Sequence, residues 1–340
     1  MRLSVVVPCY RSVETLAGLV EGVHAELGRP GSGVDDFELV LVVDGSPDST
    51  FALANDLARR FPRVRVLMLS RNYGQHNALL AGIERASFEV VVTMDDDLQH
   101  RPDQITRLVE PLQDPLVDLV YGVAVTEEHA FWRSLASRAV KRGLALAGVD
   151  NASDVSAFRA FRTELRHGFP EAADAFASVD VLLSWTTVAV TRVDVQMDQR
   201  EAGESAYGLR KLMRHTLNMV TGYGTLPLRL VTVLGVVCAV LGAVLLATVL
   251  VGYFVGSTTV SGFTTLASMI ALFSAAQMLS IGVLGEYVGR LHFRSMHKPT
   301  YVVRLDSTAD PVAAEATARA MRQRYPSAPS SLGSSVPREQ

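Results

Sequence analysis

Short apolar runs separated by amphipathic stretches set the rhythm of the first 122 residues. The runs 3–7, 37–43, 64–69, 90–94 and 117–121 are almost entirely apolar, as expected for strands covered on both faces. Between them, 13–27, 49–61, 75–86 and 103–113 repeat apolar residues at helical spacing. Strand, helix, strand in this order predicts right-handed crossovers and an α/β, Rossmann-like, mostly parallel sheet wound on both faces. Ligands of such sheets gather at the carboxyl ends of the strands. Pro8-Cys9-Tyr10, Asp44-Gly45-Ser46 and Asp95-Asp96-Asp97 all fall there.

The pattern then changes. Residues 130–147 read as a helix with Arg138, Lys141 and Arg142 on one face, and 207–223 as a second basic amphipathic segment. Each fits either a solvated face or a helix lying on an anionic membrane surface. From Leu230 to Gly285 there is no Asp, Glu, Lys, Arg or His. At ~20 residues per crossing, that stretch holds two spans, about 230–255 and 263–285, with a Ser/Thr-rich turn at 256–262. Arg229 precedes the first span, and Arg290, Arg294 and Lys298 follow the second. The positive-inside rule then makes both termini and the catalytic domain cytoplasmic at a multi-pass cell-membrane protein.

The division expected is therefore a domain over 1–225, a two-helix hairpin over 226–290, a cytoplasmic juxtamembrane segment over 291–305 and a disordered tail over 306–340. No second apolar stretch of that length occurs in 1–225, which excludes a multi-span channel or carrier. A net charge of −3 argues against a nucleic-acid partner. Cys9 and Cys238 offer neither a disulfide framework nor metal-ligand spacing. The first apolar run ends at Pro8, too short for a secretory signal, so the bulk of the chain is expected in the reducing cytosol.

The acidic triplet Asp95-Asp96-Asp97, followed by Leu98-Gln99, is the strongest chemical signal. Adjacent carboxylates repel one another unless a cation joins them. Mg²⁺ binds through one or two carboxylates together with substrate phosphates. An isolated triplet would be a solvated turn; its place after a buried strand favours the metal. Asp44 could accept hydrogen bonds from a base or ribose, while Asp48 caps the next helix. Arg71, in Ser70-Arg71-Asn72-Tyr73-Gly74, suits a phosphate or base contact. Arg200-Glu201-Ala202-Gly203-Glu204-Ser205-Ala206-Tyr207 is either a loop closing over a diphosphate or a plain loop-to-helix junction.

Together these pieces resemble glycosyltransferase family 2, and more closely its polyprenyl-phosphate branch, that of dolichyl-phosphate mannose synthases and bactoprenol glucosyltransferases. The resemblance covers about 3–305 and rests on Val5-Val6-Val7-Pro8-Cys9-Tyr10, Val43-Asp44-Gly45-Ser46, the Arg71 loop and the acidic triplet. It continues through Phe158-Arg159, the Arg200 segment, Pro227-Leu228-Arg229 and Gly285-Glu286-Tyr287-Val288-Gly289-Arg290. It implies a GT-A fold and inverting transfer of a sugar from a nucleotide-sugar, a UDP-sugar favoured, to a lipid phosphate.

By position, the resemblance implies that Pro8, Tyr10, Val42, Asp44 and Arg71 line the nucleotide pocket and that Asp95 and Asp96 contact the donor. Asp97 and Gln99 would hold Mg²⁺ or Mn²⁺, Arg200 would clamp phosphate, and Arg138, Ser205 and Tyr207 would meet the acceptor phosphate. Departures are Tyr10-Arg11-Ser12 for Tyr-Asn-Glu, Val43 for the first Asp of Asp-Asp-Gly-Ser, and Ala124 for a common Arg. The family's candidate base position is Ala157, with Asp154 three residues earlier.

A lipid phosphate monoester, with a second pKa of ~6, is largely dianionic at neutral pH. Its oxygen is already a nucleophile, so Asp97, Arg200 and Asp154 are expected to position and neutralise, with no obligatory base. Expected partners are the nucleotide-sugar, the polyprenyl phosphate, the bilayer, a second copy of the chain and a downstream flippase. Two rivals stand beside this reading: a processive polysaccharide synthase, which usually carries Gln-x-x-Arg-Trp, and a catalytically silent scaffold or flippase-assisting subunit.

Overall fold

A computed structural model describes residues 1–124, 155–169, 178–198, 226–255, 262–296 and 299–325. Two compact units divide the chain: Met1–His129, Ser153–Ser205 and Pro299–Gln340 in one, Ala130–Ala152 and Ala206–Lys298 in the other.

The first unit is built on strands β1 (Arg2–Cys9), β2 (Asp36–Val43), β3 (Val64–Leu69), β4 (Val90–Thr93), β5 (Leu119–Ala124), β6 (Arg159–Arg162), β7 (Val190–Val195) and β8 (Val303–Asp306). Their order across the sheet is β7-β5-β6-β4-β1-β2-β3-β8. The centre, β4-β1-β2-β3, is parallel throughout. Helices α1 (Leu16–Leu27), α2 (Thr50–Arg60), α3 (Gln75–Glu84) and α4 (Ile105–Val109), the last flanked by 3-10 turns, make the crossovers. These nine elements, β1–β5 and α1–α4, follow the sequence expectation closely.

Strand alternation explains the two faces. Leu3, Val5, Val7, Leu39, Leu41 and Val43 join α1, α2 and α4 in one core cluster. Val6, Val40 and Val42 turn to the opposite face and pack on α3 and on α5 (Val179–Thr186). At Gly82 of α3 an added Cβ would stand 2.4 Å from Val6 Cγ1, so only glycine lets this helix lie so close to the sheet.

Three differences from the sequence expectation stand out. The sheet is mixed, because β6 inserts antiparallel between β4 and β5. A further strand, β7, then extends the sheet parallel to β5. The eighth strand comes from beyond the helical hairpin: β8 runs antiparallel to β3. Residues 306–324, assigned from composition to a disordered tail, instead finish β8 and form helix α8 (Pro311–Arg324). The physical reason is burial: Ala314 and Ala318 seat fully in the core, and Asp310 caps the helix by accepting the Ala313 amide at 2.9 Å. The part of that tail beyond Tyr325 lies outside the described residues.

The second unit contains α6 (Leu226–Phe254) and α7 (Phe263–Ser295). They touch near Gly242, where an added Cβ would lie 3.8 Å from Phe273. Away from that seam, Leu230, Val233, Val240, Val244, Ile270 and Leu284 are exposed. Among the described residues no helix is long and apolar enough to cross a membrane. The expected basic segments at 130–147 and 207–223 lie outside the described residues.

Candidate active site at the carboxyl edge of the sheet

Loops leaving β1, β2, β3 and β4 hydrogen-bond one another at this edge. Asp44, at the end of β2 and 3% exposed, accepts the Tyr73 amide through Oδ1 and the Gly74 amide through Oδ2, both at 2.7 Å. Burial raises its pKa above the usual carboxylate value, and the two amides oppose that shift. Asp44 is thus the anchor of the loop that carries Arg71, beyond the base or ribose contact expected of it. Gly45 adopts φ +56°, and a Cβ there would lie 2.3 Å from the Arg71 carbonyl carbon. Beyond this contact, the Arg71 guanidinium lies 4.6 Å from the Tyr73 ring centroid.

The β1 loop is tied to the acidic triplet. Asp96 Oδ2 accepts the Tyr10 amide at 3.3 Å and the Ser12 hydroxyl. Burial raises the Asp96 pKa, with Asp95 adding to the shift and Ser12 and Tyr10 opposing it. Ser46 Oγ accepts the Arg11 amide at 2.9 Å and donates to Asp48 Oδ1 at 2.6 Å. Asp48, one residue ahead of the N-cap position Ser49, also accepts the first amide of α2, that of Thr50, at 3.0 Å. Arg11 takes φ +59°, a left-handed backbone costing roughly 1 kcal/mol. The Tyr10 side chain stays 43% exposed.

Each carboxylate of the triplet has its own partner. Asp95 Oδ1 accepts Gln75 Nε2 at 2.6 Å, and its amide donates to His100 Nδ1 at 3.0 Å. That bond requires a His100 ring with no proton on Nδ1. Burial pushes its pKa down to about 4, with Asp97 opposing and Arg159 assisting. The ring stacks on Phe158 at 5.2 Å. Asp97 Oδ1 accepts the Gln99 amide at 3.1 Å, and the Gln99 carbonyl accepts the Asp198 amide at 3.0 Å. A cavity of about 960 Å³ opens beside Tyr10, Ser12, Asp96, Asp97 and Arg101.

Behind the triplet, Arg159 is 1% exposed. Its Nε donates to Thr93 Oγ1 at 3.0 Å and its Nη1 to Asp180 Oδ1. Burial lowers its pKa, while Tyr121 and Asp95 oppose the shift. Thr93 Oγ1 in turn donates to the Ala157 carbonyl at 2.9 Å, holding the chain that follows Asp154 against the end of β4.

Among the described residues no three His, Cys, Asp or Glu side chains converge as a ready-made metal cage. The donor set still fits a hard divalent cation. Asp97, which lines the cavity, and Gln99, two residues further on, carry side-chain oxygens, and such an ion takes its remaining ligands from water and phosphate.

The structure therefore brings Tyr10, Asp44, Arg71, Asp95, Asp96, Asp97 and Gln99 to one edge. Pro8 and Val42 depart from the expectation that they line the pocket: both are buried, Val42 at 0% exposure within the α3-side core. At the ends of central strands their side chains turn into helix-covered faces. Asp154, Arg138, Arg200, Ser205 and Tyr207 lie outside the described residues. Sequence reasoning missed Gln75 and His100 as partners of the triplet and Asp198 as the partner of Gln99; isolated polar residues carry no spacing signal. Arg159 was legible only through the Phe-Arg pair.

The sequence matches the model of Glycosyl transferase family 2 over residues 4–167. The undecaprenyl-phosphate 4-deoxy-4-formamido-L-arabinose transferase of Pectobacterium carotovorum subsp. carotovorum (strain PC1) is 32% identical over 309 residues, covering 88% of this chain and 92% of that relative. Its namesake from Edwardsiella ictaluri (strain 93-146) is 32% identical over 307 residues, covering 88% and 93%. Among solved structures, glucosyl-3-phosphoglycerate synthase from Mycobacterium tuberculosis in complex with Mn²⁺, uridine-diphosphate and phosphoglyceric acid aligns with a TM-score of 0.48 at 19% identity, over 65% of this chain and 76% of that one. With its motifs in family order and relatives matched along nearly their whole length, the chain belongs to glycosyltransferase family 2, in its polyprenyl-phosphate branch.

Proposed function

We propose that this protein transfers a sugar, with inversion, from a nucleotide-sugar to a membrane polyprenyl phosphate, giving a polyprenyl-phosphate sugar for cell-envelope glycan or lipid modification. One observation carries the reading: the Asp44-anchored Arg71 loop, the exposed Tyr10 ring and the triplet meet at one strand edge, where Tyr10, Asp96 and Asp97 also line a cavity. A silent scaffold gains nothing from that arrangement.

In this reading Tyr10 offers a ring face to the base and Arg71 a cation to the base or diphosphate. Asp97 and Gln99 would hold Mg²⁺ or Mn²⁺, which supplies charge neutralisation on the leaving diphosphate. Arg200 neutralises the approaching phosphates. Asp154 orients the acceptor phosphate, whose own ionisation provides the nucleophile.

The helices α6 and α7 form the membrane hairpin. The support is in the sequence: at ~20 residues per crossing, the uncharged stretch from Leu230 to Gly285 is long enough for two spans. Arg229 is the single charge of α6, and the exposed valines and leucines around it suit lipid. The catalytic unit and both termini then face the cytoplasm.

Membranes containing the protein, incubated with polyprenyl phosphate and a panel of radiolabelled UDP- and GDP-sugars, test the proposal. The panel includes a 4-deoxy-4-formamido-L-arabinose donor because of the relatives' names. Labelled lipid from one donor is the expected result; no labelled lipid from any donor would leave the scaffold reading.

A further inference from the structure

The Arg71 loop is held from two sides, and the second support comes from the far end of the chain. Asp44 grips it at Tyr73 and Gly74. On the other flank, the Ser70 amide donates to the Val302 carbonyl at 2.9 Å, so the β3–β8 pairing continues into the first residue of the loop. Tyr301 and Val303 pack on the same core cluster as Tyr73.

This returning segment is latched along its length. Arg65 reaches Asp306 with both Nε and Nη2, at 3.1 and 2.6 Å, a bidentate pair only partly exposed to solvent. Ser307 exchanges two hydrogen bonds with Val66, from amide to carbonyl and from amide to Oγ, each at 2.9 Å. Further on, Arg322 binds Asp56 at 2.7 Å, and Glu315 accepts Asn55 at 3.0 Å. Asp306 sits opposite Leu67, three positions before the loop begins at Ser70, so the bidentate pair fixes the register in which Val302 reaches the Ser70 amide.

We propose that residues 301–307 are a positioning strap for the donor loop, with Arg65 and Asp306 as its latch. This rests on the donor-site reading given above. The strap sets the height at which Ser70 leaves β3, and through it the reach of Arg71 toward the nucleotide. It acts on donor affinity and not on the lipid acceptor. A chain segment that follows the helical hairpin thereby helps to form the nucleotide site.

The test compares wild type, Asp306→Asn, Asp306→Arg and the swapped double variant Arg65→Asp/Asp306→Arg in lipid nanodiscs. Hydrogen exchange at residues 70–74 reports the loop, and titration with UDP and with GDP reports the site. Asp306→Arg should speed loop exchange and weaken nucleotide binding by roughly tenfold each, with the KM for polyprenyl phosphate unchanged. Asp306→Asn should shift both in the same direction by less, and the double variant should restore both. Unchanged loop exchange in Asp306→Asn and Asp306→Arg, or equal rises in donor and acceptor KM, would overturn the strap. A wild-type protein that bound neither nucleotide would instead overturn the proposed function, which keeps the two failures apart.

Discussion

Gln99 joins Asp97 to Asp198: its amide donates to the Asp97 carboxylate at 3.1 Å and its carbonyl accepts the Asp198 amide at 3.0 Å. One turn therefore fixes the last carboxylate of the triplet and the strand end that leads to Arg200. Loss of charge at Asp97 removes the oxygen proposed to bind the metal without dismantling the turn, since asparagine keeps an acceptor for the Gln99 amide. Asp97→Asn should abolish transfer and leave unfolding temperature unchanged or slightly raised, because like-charge repulsion falls. Near-wild-type turnover at saturating Mg²⁺ would refute the metal assignment.

Arg200 and Asp154 separate neutralisation from base catalysis. Asp154→Asn should slow transfer by only ~10-fold, against the ~10²–10⁴-fold typical of a lost general base. Arg200→Ala should be the worse lesion, with two phosphates approaching uncompensated. Activity should fall on the acidic side near pH ~6, as the acceptor phosphate protonates, in wild type and Asp154→Asn alike. Single-turnover rates across pH measure this, and a thousandfold loss in Asp154→Asn with intact donor binding would make it the base.

Asp44→Asn turns one acceptor oxygen into a donor facing an amide it previously served. Charge-assisted hydrogen bonds contribute about 1.5–3 kcal/mol, so donor KM should rise by about one to two orders of magnitude. The acceptor KM should stay within a factor of about three, since Asp44 meets only the donor loop. Steady-state kinetics with each substrate varied in turn decides it.

His24 makes stability depend on pH far from the active site. Nδ1 lies 3.1 Å from the Val20 carbonyl, and the ring packs on Phe61 and Phe37 at 4.5 and 5.1 Å. Nε2 is buried with no partner. Burial, assisted by Arg63 and opposed by the Val20 contact, lowers its pKa below the usual 6.5. The folded state thus binds the proton less readily than the unfolded chain. The neutral ring's contribution is complete above pH 6.5 and is lost as pH falls toward the depressed folded value. Thermal unfolding at pH 7.5 and 5.5 should show a smaller drop in His24→Leu than in wild type; equal drops would remove His24 as the cause.

If the proposed hairpin holds, tags placed before residue 1 and after residue 340 should both resist protease added outside intact cells, since Arg229, Arg290, Arg294 and Lys298 would then sit on one side. Cleavage of either tag would contradict the hairpin.

The part of the fold legible in the sequence is the part made of uninterrupted apolar runs. The strands β1 to β4 are covered on both faces, so their burial is written in consecutive valines and leucines. Arg159-Ala160-Phe161-Arg162 gave no such signal, although it is a central strand, because its charges are satisfied by Thr93, Asp180 and backbone carbonyls that no local pattern reveals. Strand β7, at the sheet edge, alternates too weakly to stand out. Helix α8 buries alanines, whose small size reads as composition drift. At the site, the chemical residues were visible and their scaffolding was not: the grip of Asp44 on Tyr73 and Gly74 depends on two strands lying side by side.

The origin of β8 has a consequence for biogenesis. Translation delivers Val303–Asp306 only after both long helices have been made. Until then the rim of β3 is bare, with free amides and carbonyls open to a neighbouring chain. The sheet of the first unit is therefore completed only after α6 and α7 have been made. A nascent chain arrested before residue 303 should leave β3 as an adhesive strand open to pairing with another chain.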